Sequence, residues 1–423
     1  MNLNKLSMIS KLGFDKNVRK QLLDIYKIYR ADVDFSFLKY LKMMIRMTKG
    51  EKIVKHEDKY IISTFMPPLP SGAFTSNAIA VDNMKKVFTK QLKADRTAPI
   101  SIYLCITHKC PNNCLYCSSK NRQQGSELTT KEWKRTINNL QDMNTAIIGI
   151  TGGEPMIRED IYDIVSFIDQ RSISILFTSG FNLTLEKAKK LKACGLFGMG
   201  ISLDSPFKKE HNKHRRDDKA FDYALKALRI SNEAGLYTMA QTVILKKDID
   251  EEKLFELFKL AKKSGAHEVK ILEPILSGNL LTVENLDEIL YKQEDRRKLI
   301  AIQHKANKIK SFPKVTTFAY TESKEKFGCG AGTQHSYVSA DGHLYPCDFI
   351  PMSFGNVKEE GIEDLWREMN MAIGNPKLSC FAQKVNRQVI EVSQGNLPLN
   401  KKESILICQK HQSNEMPDYY NQL

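Results

Sequence analysis

Three thiols fall within eight residues of this 423-residue chain, in the stretch Cys110-Pro-Asn-Asn-Cys114-Leu-Tyr-Cys117. Thiolates so close together suit a metal centre. At CxxxCxxC spacing they reach three corners of a cubane iron–sulfur cluster, whereas a cluster held wholly by protein takes four cysteines. Three leave one iron open to a small molecule, as a catalytic zinc keeps an open position. A zinc site completed by His108 is the alternative, although zinc sites usually pair CxxC elements across a longer gap. A second chemical signal is Thr151-Gly152-Gly153-Glu154-Pro155. Its glycines let backbone approach closely and its acid suits an ammonium group; alone, the stretch reads as a tight turn. Six of the nine cysteines remain. Cys105, in an apolar run, and Cys194, at a helix end, read as packing residues. Cys329, Cys347, Cys380 and Cys408 all lie downstream, and four thiolates complete a closed cluster.

The elements that must position these groups alternate in period. Apolar, β-rich runs cover residues 101–107, 146–151, 172–178, 197–204, 237–245 and 268–274. Helical patterns lie near 130–142, 158–169, 184–193, 220–234, 250–264 and 283–309. Repeated strand–helix units predict right-handed crossovers and a parallel α/β sheet. Nearly continuous apolar strands predict that both faces are covered. A partly closed barrel and an open sheet both fit, and either binds ligands at the C-terminal ends of its strands. The cysteine trio follows the first strand, Gly152-Gly153-Glu154 the second and Ser179-Gly180 the third, and Asp204 ends the fourth. All belong to one rim. The alternation stops near residue 310, giving expected divisions of 1–99, 100–310 and 311–423.

Residues 1–100 hold 19 Lys and Arg against 9 Asp and Glu, a large part of a net charge of +15. That bias suits either an anionic partner or a solvated, lysine-rich surface. Two helices are predicted over 15–49, with Lys39, Lys42, Arg46 and Lys49 as a basic stripe beside Phe35, Leu38, Leu41, Met44 and Ile45. The apolar face is expected to pack on the adjoining domain, with peripheral contact at a membrane surface as the alternative. The segment 63–72, with Pro67, Pro68, Pro70 and Gly72, predicts a linker or an ordered extended stretch. A further basic helix is expected near 80–93. No apolar run reaches membrane-spanning length and the start lacks a signal-peptide pattern, so a cytoplasmic location is expected, where thiols stay reduced.

Together, CxxxCxxC after the first strand and GGEP after the second resemble the radical S-adenosylmethionine (SAM) superfamily over roughly residues 100–275. The resemblance implies a partial (β/α)6 TIM-like barrel. It implies a 4Fe–4S cluster on Cys110, Cys114 and Cys117 whose open iron binds SAM, giving a 5′-deoxyadenosyl radical that abstracts hydrogen from a substrate. It further implies SAM contacts at Tyr116, Gly152, Gly153, Glu154, Pro155, Ser179, Ser202 and Asp204. Arg215 aligns with the family's carboxylate-reaching arginine, although Asn212 and Arg216 replace the usual Asp and Gly beside it. Cys329, the hairpin signal Asp341-Gly342, Cys347 and Phe354-Gly355-Asn356 resemble the opening of a SPASM/twitch extension. That implies a small C-terminal domain with one auxiliary 4Fe–4S cluster on Cys329, Cys347, Cys380 and Cys408, with His411 able to replace Cys408. A flavodoxin- or ferredoxin-type electron donor follows from the same resemblance.

The expected function is radical SAM chemistry on a peptide, as in maturation of ribosomally made peptides. The alternatives are modification of a membrane lipid or another anionic small molecule, and a non-enzymatic iron–sulfur electron carrier. Residues 1–99 read as helical, against a winged-helix peptide-recognition module, and no RNA-binding module accompanies the basic charge, so a nucleic-acid partner is not favoured.

Overall fold

The computed structural model describes residues 3–30, 36–63, 65–80, 96–122 and 125–420. At its centre lies a nine-stranded sheet. Seven strands run parallel and adjacent in chain order: β3 (Ser101–Cys105), β4 (Ile147–Thr151), β5 (Ile173–Thr178), β6 (Gly198–Ser202), β7 (Tyr237–Val243), β8 (Glu268–Leu272) and β9 (Lys314–Thr317). On the free side of β3, β10 (His335–Val338) pairs in parallel, and β11 (Leu344–Tyr345) closes a hairpin on β10. The six expected strands are β3 to β8, and the sheet is curved but not closed. It does not stop near residue 310, because β9 to β11 extend both of its edges.

Between the strands run α5 (Thr130–Asp142), α6 (Ile161–Ser166), α7 (Leu185–Ala193), α8 (Lys208–Arg215), α9 (Ala220–Glu233), α10 (Glu251–Lys263) and α11 (Gln293–Ala306). Their apolar stripes bury Leu140, Leu191, Leu228 and Leu257 against the outward strand residues. In β8, Val269 and Ile271 join that outer core. The intervening Glu268 and Lys270 face inward, as the two-residue strand period requires, and reach the Tyr237 and Tyr103 hydroxyls at 2.7 and 3.0 Å.

The N-terminal region holds α1 (Leu3–Phe14), α2 (Lys16–Tyr29), α3 (Phe37–Met47), a hairpin of β1 (Val54–His56) and β2 (Lys59–Ile61), and α4 (Gly72–Ile79). It covers the N-terminal mouth of the barrel, where Ile61 and Ala73 pack with Ala146, Ile147, Ile173 and Tyr237. A fully buried Lys314–Glu51 ion pair joins the two bodies, with Lys314 Nζ also donating to Ile62 O at 2.9 Å. The proline-rich stretch is ordered rather than loose: Leu69 is buried and its N–H donates to Tyr60 O at 2.9 Å. The expected amphipathic packing of α3 is only partly realised. Tyr40, Met44 and Met47 are buried, while Phe37, Leu38, Leu41 and Ile45 are exposed. The helix expected near 80–93 lies outside the described residues. Among the described residues, no helix is long and apolar enough to cross a membrane.

C-terminal to β9 come α12 (Phe318–Thr321), the β10–β11 hairpin, α13 (Ile362–Ile373), α14 (Phe381–Ser393) and α15 (Lys401–Lys410). Gly342 turns the hairpin at φ +100°, a conformation that suits glycine.

Candidate active site

The loop leaving β3 carries Cys110, Cys114 and Cys117, all partly exposed. It is fixed from two sides. Asn279 donates twice at its base, N–H to Cys117 O at 3.0 Å and Nδ2 to Cys114 O at 2.7 Å. Leu115 N–H donates to His214 O at 2.9 Å. Burial pushes the Cys110 thiol up to about 12, and it raises Cys114 too, against the pull of Arg215. Such thiols are poor free nucleophiles and need a metal to hold them as thiolates.

The glycines after β4 are required by the approach of this loop. A Cβ on Gly152 would stand 2.7 Å from Thr107 O, and one on Gly153 would stand 2.2 Å from Lys109 O. Gly153 N–H and Glu154 N–H donate to those carbonyls at 2.7 and 2.8 Å. Pro155 starts the short turn that follows, and Glu154 folds back under the rim. Its carboxylate accepts from Thr178 Oγ1 at 2.6 Å, from Ser179 N and Oγ at 2.8 and 2.6 Å, and from Met156 N at 3.1 Å. Burial raises its pKa and these four donors oppose the rise. Glu154 and Ser179 therefore lock β4 and β5 together at the rim.

Asp204, after β6, is buried and receives Arg215 Nε and Nη2 at 2.6 and 3.0 Å, Val243 N–H at 2.9 Å and the Tyr116 hydroxyl. Burial opposes its ionisation, but Arg215 and His211 hold its pKa below the usual value. Arg215 lies over the Tyr116 ring at 5.4 Å and points Nη1 at Cys114 Sγ at 3.8 Å. The three expected SAM-contacting residues Tyr116, Asp204 and Arg215 thus form one clamp that anchors the cysteine loop to β6 and α8. Ser202 stands half-buried at the end of β6, paired in register with Gln241.

His108 is held elsewhere, its Nε2 lying 3.6 Å from Asp341 at the β10–β11 turn. Among the described residues, no group of three or more His, Cys, Asp or Glu is gathered tightly enough for a single metal ion. A cubane spreads its thiolates over separate irons and demands no such convergence. The zinc alternative therefore finds no support in the geometry.

Of the four downstream cysteines, three come together. Cys329 sits where the chain bridges to Lys377, Cys347 follows β11, and Cys380 caps the N-terminus of α14. The Cys380 side chain hydrogen-bonds to Cys329; with Phe381 and Ala331 N–H it outweighs burial and lowers the Cys329 thiol. Cys408, on α15, is fully buried, and burial pushes its thiol up to about 12 against the pull of Lys377. His411 interacts with Gln388 at 3.1 Å.

One cavity, about 1230 Å³ including its open mouth, reaches from Thr151, beside the GGEP loop, to Cys329, Cys347 and Cys380. Sequence reasoning missed two groups inside it. Lys270 Nζ lies 5.0–5.7 Å from the centres of the Phe65, Tyr103, Phe177 and Phe318 rings. Glu322 also lines the cavity; burial, then Cys329 and Glu273, push its carboxyl well up. A lysine inside the apolar run Glu268–Leu272 was the available signal for the first.

A curved parallel sheet with paired thiol sites at its rim and beyond its edge defines an iron–sulfur enzyme that uses SAM. Residues 104–261 match the Radical SAM superfamily and residues 329–394 match the SPASM iron–sulfur cluster-binding domain, so the chain is a SPASM-type radical SAM enzyme. It is 28% identical over 291 residues to the AdoMet-dependent heme synthase of Methanosarcina barkeri, covering 64% of this chain and 82% of that one. To the protein of the same name from Nitratidesulfovibrio vulgaris it is 25% identical over 285 residues, 62% and 77% of the two chains. The fold matches Streptococcus suis SuiB bound to S-adenosylmethionine at a TM-score of 0.54 and 18% identity, over 66% of this chain and 68% of that one. SuiB bound to its precursor peptide SuiA gives 0.55 and 16%, over 67% and 70%. The two domains imply a 4Fe–4S cluster, an auxiliary cluster and SAM. The residues present fit that set: three loop thiols, a glycine cradle and a second group of thiols lining a cavity.

Proposed function

We propose that this enzyme removes hydrogen from a carboxylate-bearing organic substrate with an apolar body, held in the cavity that runs from the GGEP rim to the second group of thiols. The observation that carries the reading is that single cavity, whose wall runs from Thr151 to Cys329, Cys347 and Cys380. Cys110, Cys114 and Cys117 would hold the first cluster, and Gly152, Gly153 and the rim around Ser202 would receive SAM. When bound, these groups supply reductive cleavage of SAM to a 5′-deoxyadenosyl radical. The chain's own contribution is placement and exclusion of water. The Asp204–Arg215–Tyr116 clamp keeps the loop in register, and Glu154 fixes the next rim turn. Phe65, Phe177 and Phe318 offer apolar contact, and Lys270 offers the one ammonium among them, suited to a substrate carboxylate. A tetrapyrrole carboxylate has this character, in keeping with the relatives named AdoMet-dependent heme synthase.

A peptide substrate is the second reading, favoured by the fold shared with SuiB, which has been captured with its precursor peptide. The exposed apolar residues of α3 beside its basic stripe support peripheral contact with anionic lipid. Anaerobic, reconstituted enzyme should release 5′-deoxyadenosine from SAM under a low-potential reductant or a reduced flavodoxin, and a porphyrin carboxylate should stimulate release more than a precursor peptide. Stimulation by the peptide alone would replace the first reading with the second. No 5′-deoxyadenosine under any of several reductants would defeat both.

A further inference from the structure

A second cavity, about 610 Å³ including its open mouth, lies among α2, α3, α4 and the C-terminal Tyr419 and Tyr420. Its wall is apolar and adaptable. Met43, Met44, Met47 and Met66 line it, and unbranched thioether side chains fit irregular apolar bodies. It adjoins the first cavity: Met66, Ile100, Phe327 and Gln334 line both and form the partition between them. That partition is braced from the second side, where Gln334 Nε2 donates to the Tyr420 hydroxyl and the Phe327 ring meets Tyr419 at 4.8 Å.

Among the described residues, one charged group lines this second cavity, Arg96, and it is only 5% exposed. Its Nε donates to Ala98 O at 3.1 Å, and its Nη2 donates to Asn77 O and Oδ1, both at 3.0 Å. All three acceptors are neutral. Among the described residues, no carboxylate pairs with the guanidinium and Nη1 makes no hydrogen bond. Three neutral acceptors orient a cation, but they leave its charge without a counter-ion in a place from which water is largely excluded, and such burial is costly. Burial accordingly lowers the Arg96 pKa to about 10. A fixed guanidinium in an apolar wall, with no acid of its own, suits a ligand that brings one.

We propose that the second cavity binds a carboxylate carried on an apolar body, with Arg96 as its counter-ion and the methionines around its chain. The site is separate from Lys270 and does not rest on the role given above to that residue. Two sources offer this chemistry. One is a second carboxylate arm of a molecule seated in the first cavity and reaching across the partition. The other is a separate ligand of the fatty-acid type.

Dodecanoate titrated into full-length, anaerobically reconstituted protein, followed by calorimetry, tests this without turnover. Wild type should bind dodecanoate about 10- to 100-fold more tightly than dodecanol, and Arg96→Met should bind both at the weaker value. Lys270→Met should bind dodecanoate as wild type does. No binding to wild type would overturn the assignment. So would equal affinity of wild type and Arg96→Met, or a loss confined to Lys270→Met. Dodecanoate that displaces a porphyrin carboxylate supports the site as an arm of the substrate cavity, and simultaneous binding supports it as the site of a separate ligand. Failure of the porphyrin to bind bears on the proposed substrate alone and leaves the dodecanoate result to decide. Should Arg96→Met fail to fold, Met43→Trp fills the cavity and keeps the guanidinium; it should lose dodecanoate, and wild-type affinity there would overturn the assignment.

Discussion

The clamp around Asp204 makes a quantitative prediction that separates a structural role for Arg215 from the SAM-carboxylate role suggested by sequence. Arg215 and Asp204 meet through two bonds of 2.6 and 3.0 Å, and both side chains are nearly out of water. At an effective dielectric of about 20 and a separation near 3 Å, their attraction is about 5–6 kcal/mol before desolvation is subtracted. Asp204→Asn removes one charge and leaves Arg215 buried against a neutral amide, which should destabilise the protein by about 3–5 kcal/mol. Arg215→Met strands Asp204 in the same way. The double variant strands neither, so its loss should fall short of the sum by about 3 kcal/mol. Urea unfolding of apoprotein, followed by far-ultraviolet circular dichroism, measures all four corners of the cycle. Losses that add to within about 0.5 kcal/mol would refute the clamp. An Arg215→Met apoprotein as stable as the wild type, but weak in SAM binding, would return Arg215 to the role of a SAM ligand.

Other expected outcomes follow from single contacts. Gly153→Ala puts a Cβ 2.2 Å from Lys109 O and 2.6 Å from Lys109 C, so the cysteine loop's own backbone must move. A loss of about 1–3 kcal/mol and of the first cluster's iron, with auxiliary iron retained, should appear in unfolding and iron assays. His211 is buried, and burial holds its pKa down to about 4 against 6.5 unfolded. The unfolded chain binds more protons between those values, so wild type should lose about 3 kcal/mol as pH falls from 6.5 to 4, and His211→Gln should lack that share of the slope. Lys270→Met keeps the stem among its rings and deletes the ammonium, so KM for a carboxylate substrate should rise about 10- to 100-fold; an unchanged KM would remove Lys270 from substrate binding. Vesicles of anionic lipid should sediment the wild type, and Leu38→Glu with Leu41→Glu should abolish it; no sedimentation of wild type removes membrane contact.

The parts of the site that sequence made legible are those whose residues are neighbours in the chain. CxxxCxxC and GGEP carry their spacing with them, and strand–helix alternation was enough to put both on one rim. The strands that escaped notice are short. Val54–His56 and Lys59–Ile61 have three residues each, too few for a period to show. β9 and β10 lie past the point where helices cease to alternate with strands, and so the sheet outran the expected domain boundary. Tyr116, Asp204 and Arg215 were each singled out, but their mutual contact was not, because 88 and 11 residues separate the partners.

Lys270 and Glu322 show why the interior was harder to read than the rim. In a strand covered on both faces, outward and inward positions are both buried, and all five residues of β8 are buried. Hydrophobic pattern then says nothing about which face a polar residue takes, and Lys270 reads as an exception in an apolar run. What fixes its direction is parity within β8 together with Tyr103 from β3, at the opposite side of the sheet. Glu322 has still less local signal, since it follows a four-residue helix and lines a cavity built from several separate segments. Counting cysteines supplied Cys408 as the fourth member of the downstream thiol set because a count carries no direction. Folding buries Cys408 in the core within α15, and where a buried residue lies belongs to packing rather than to composition.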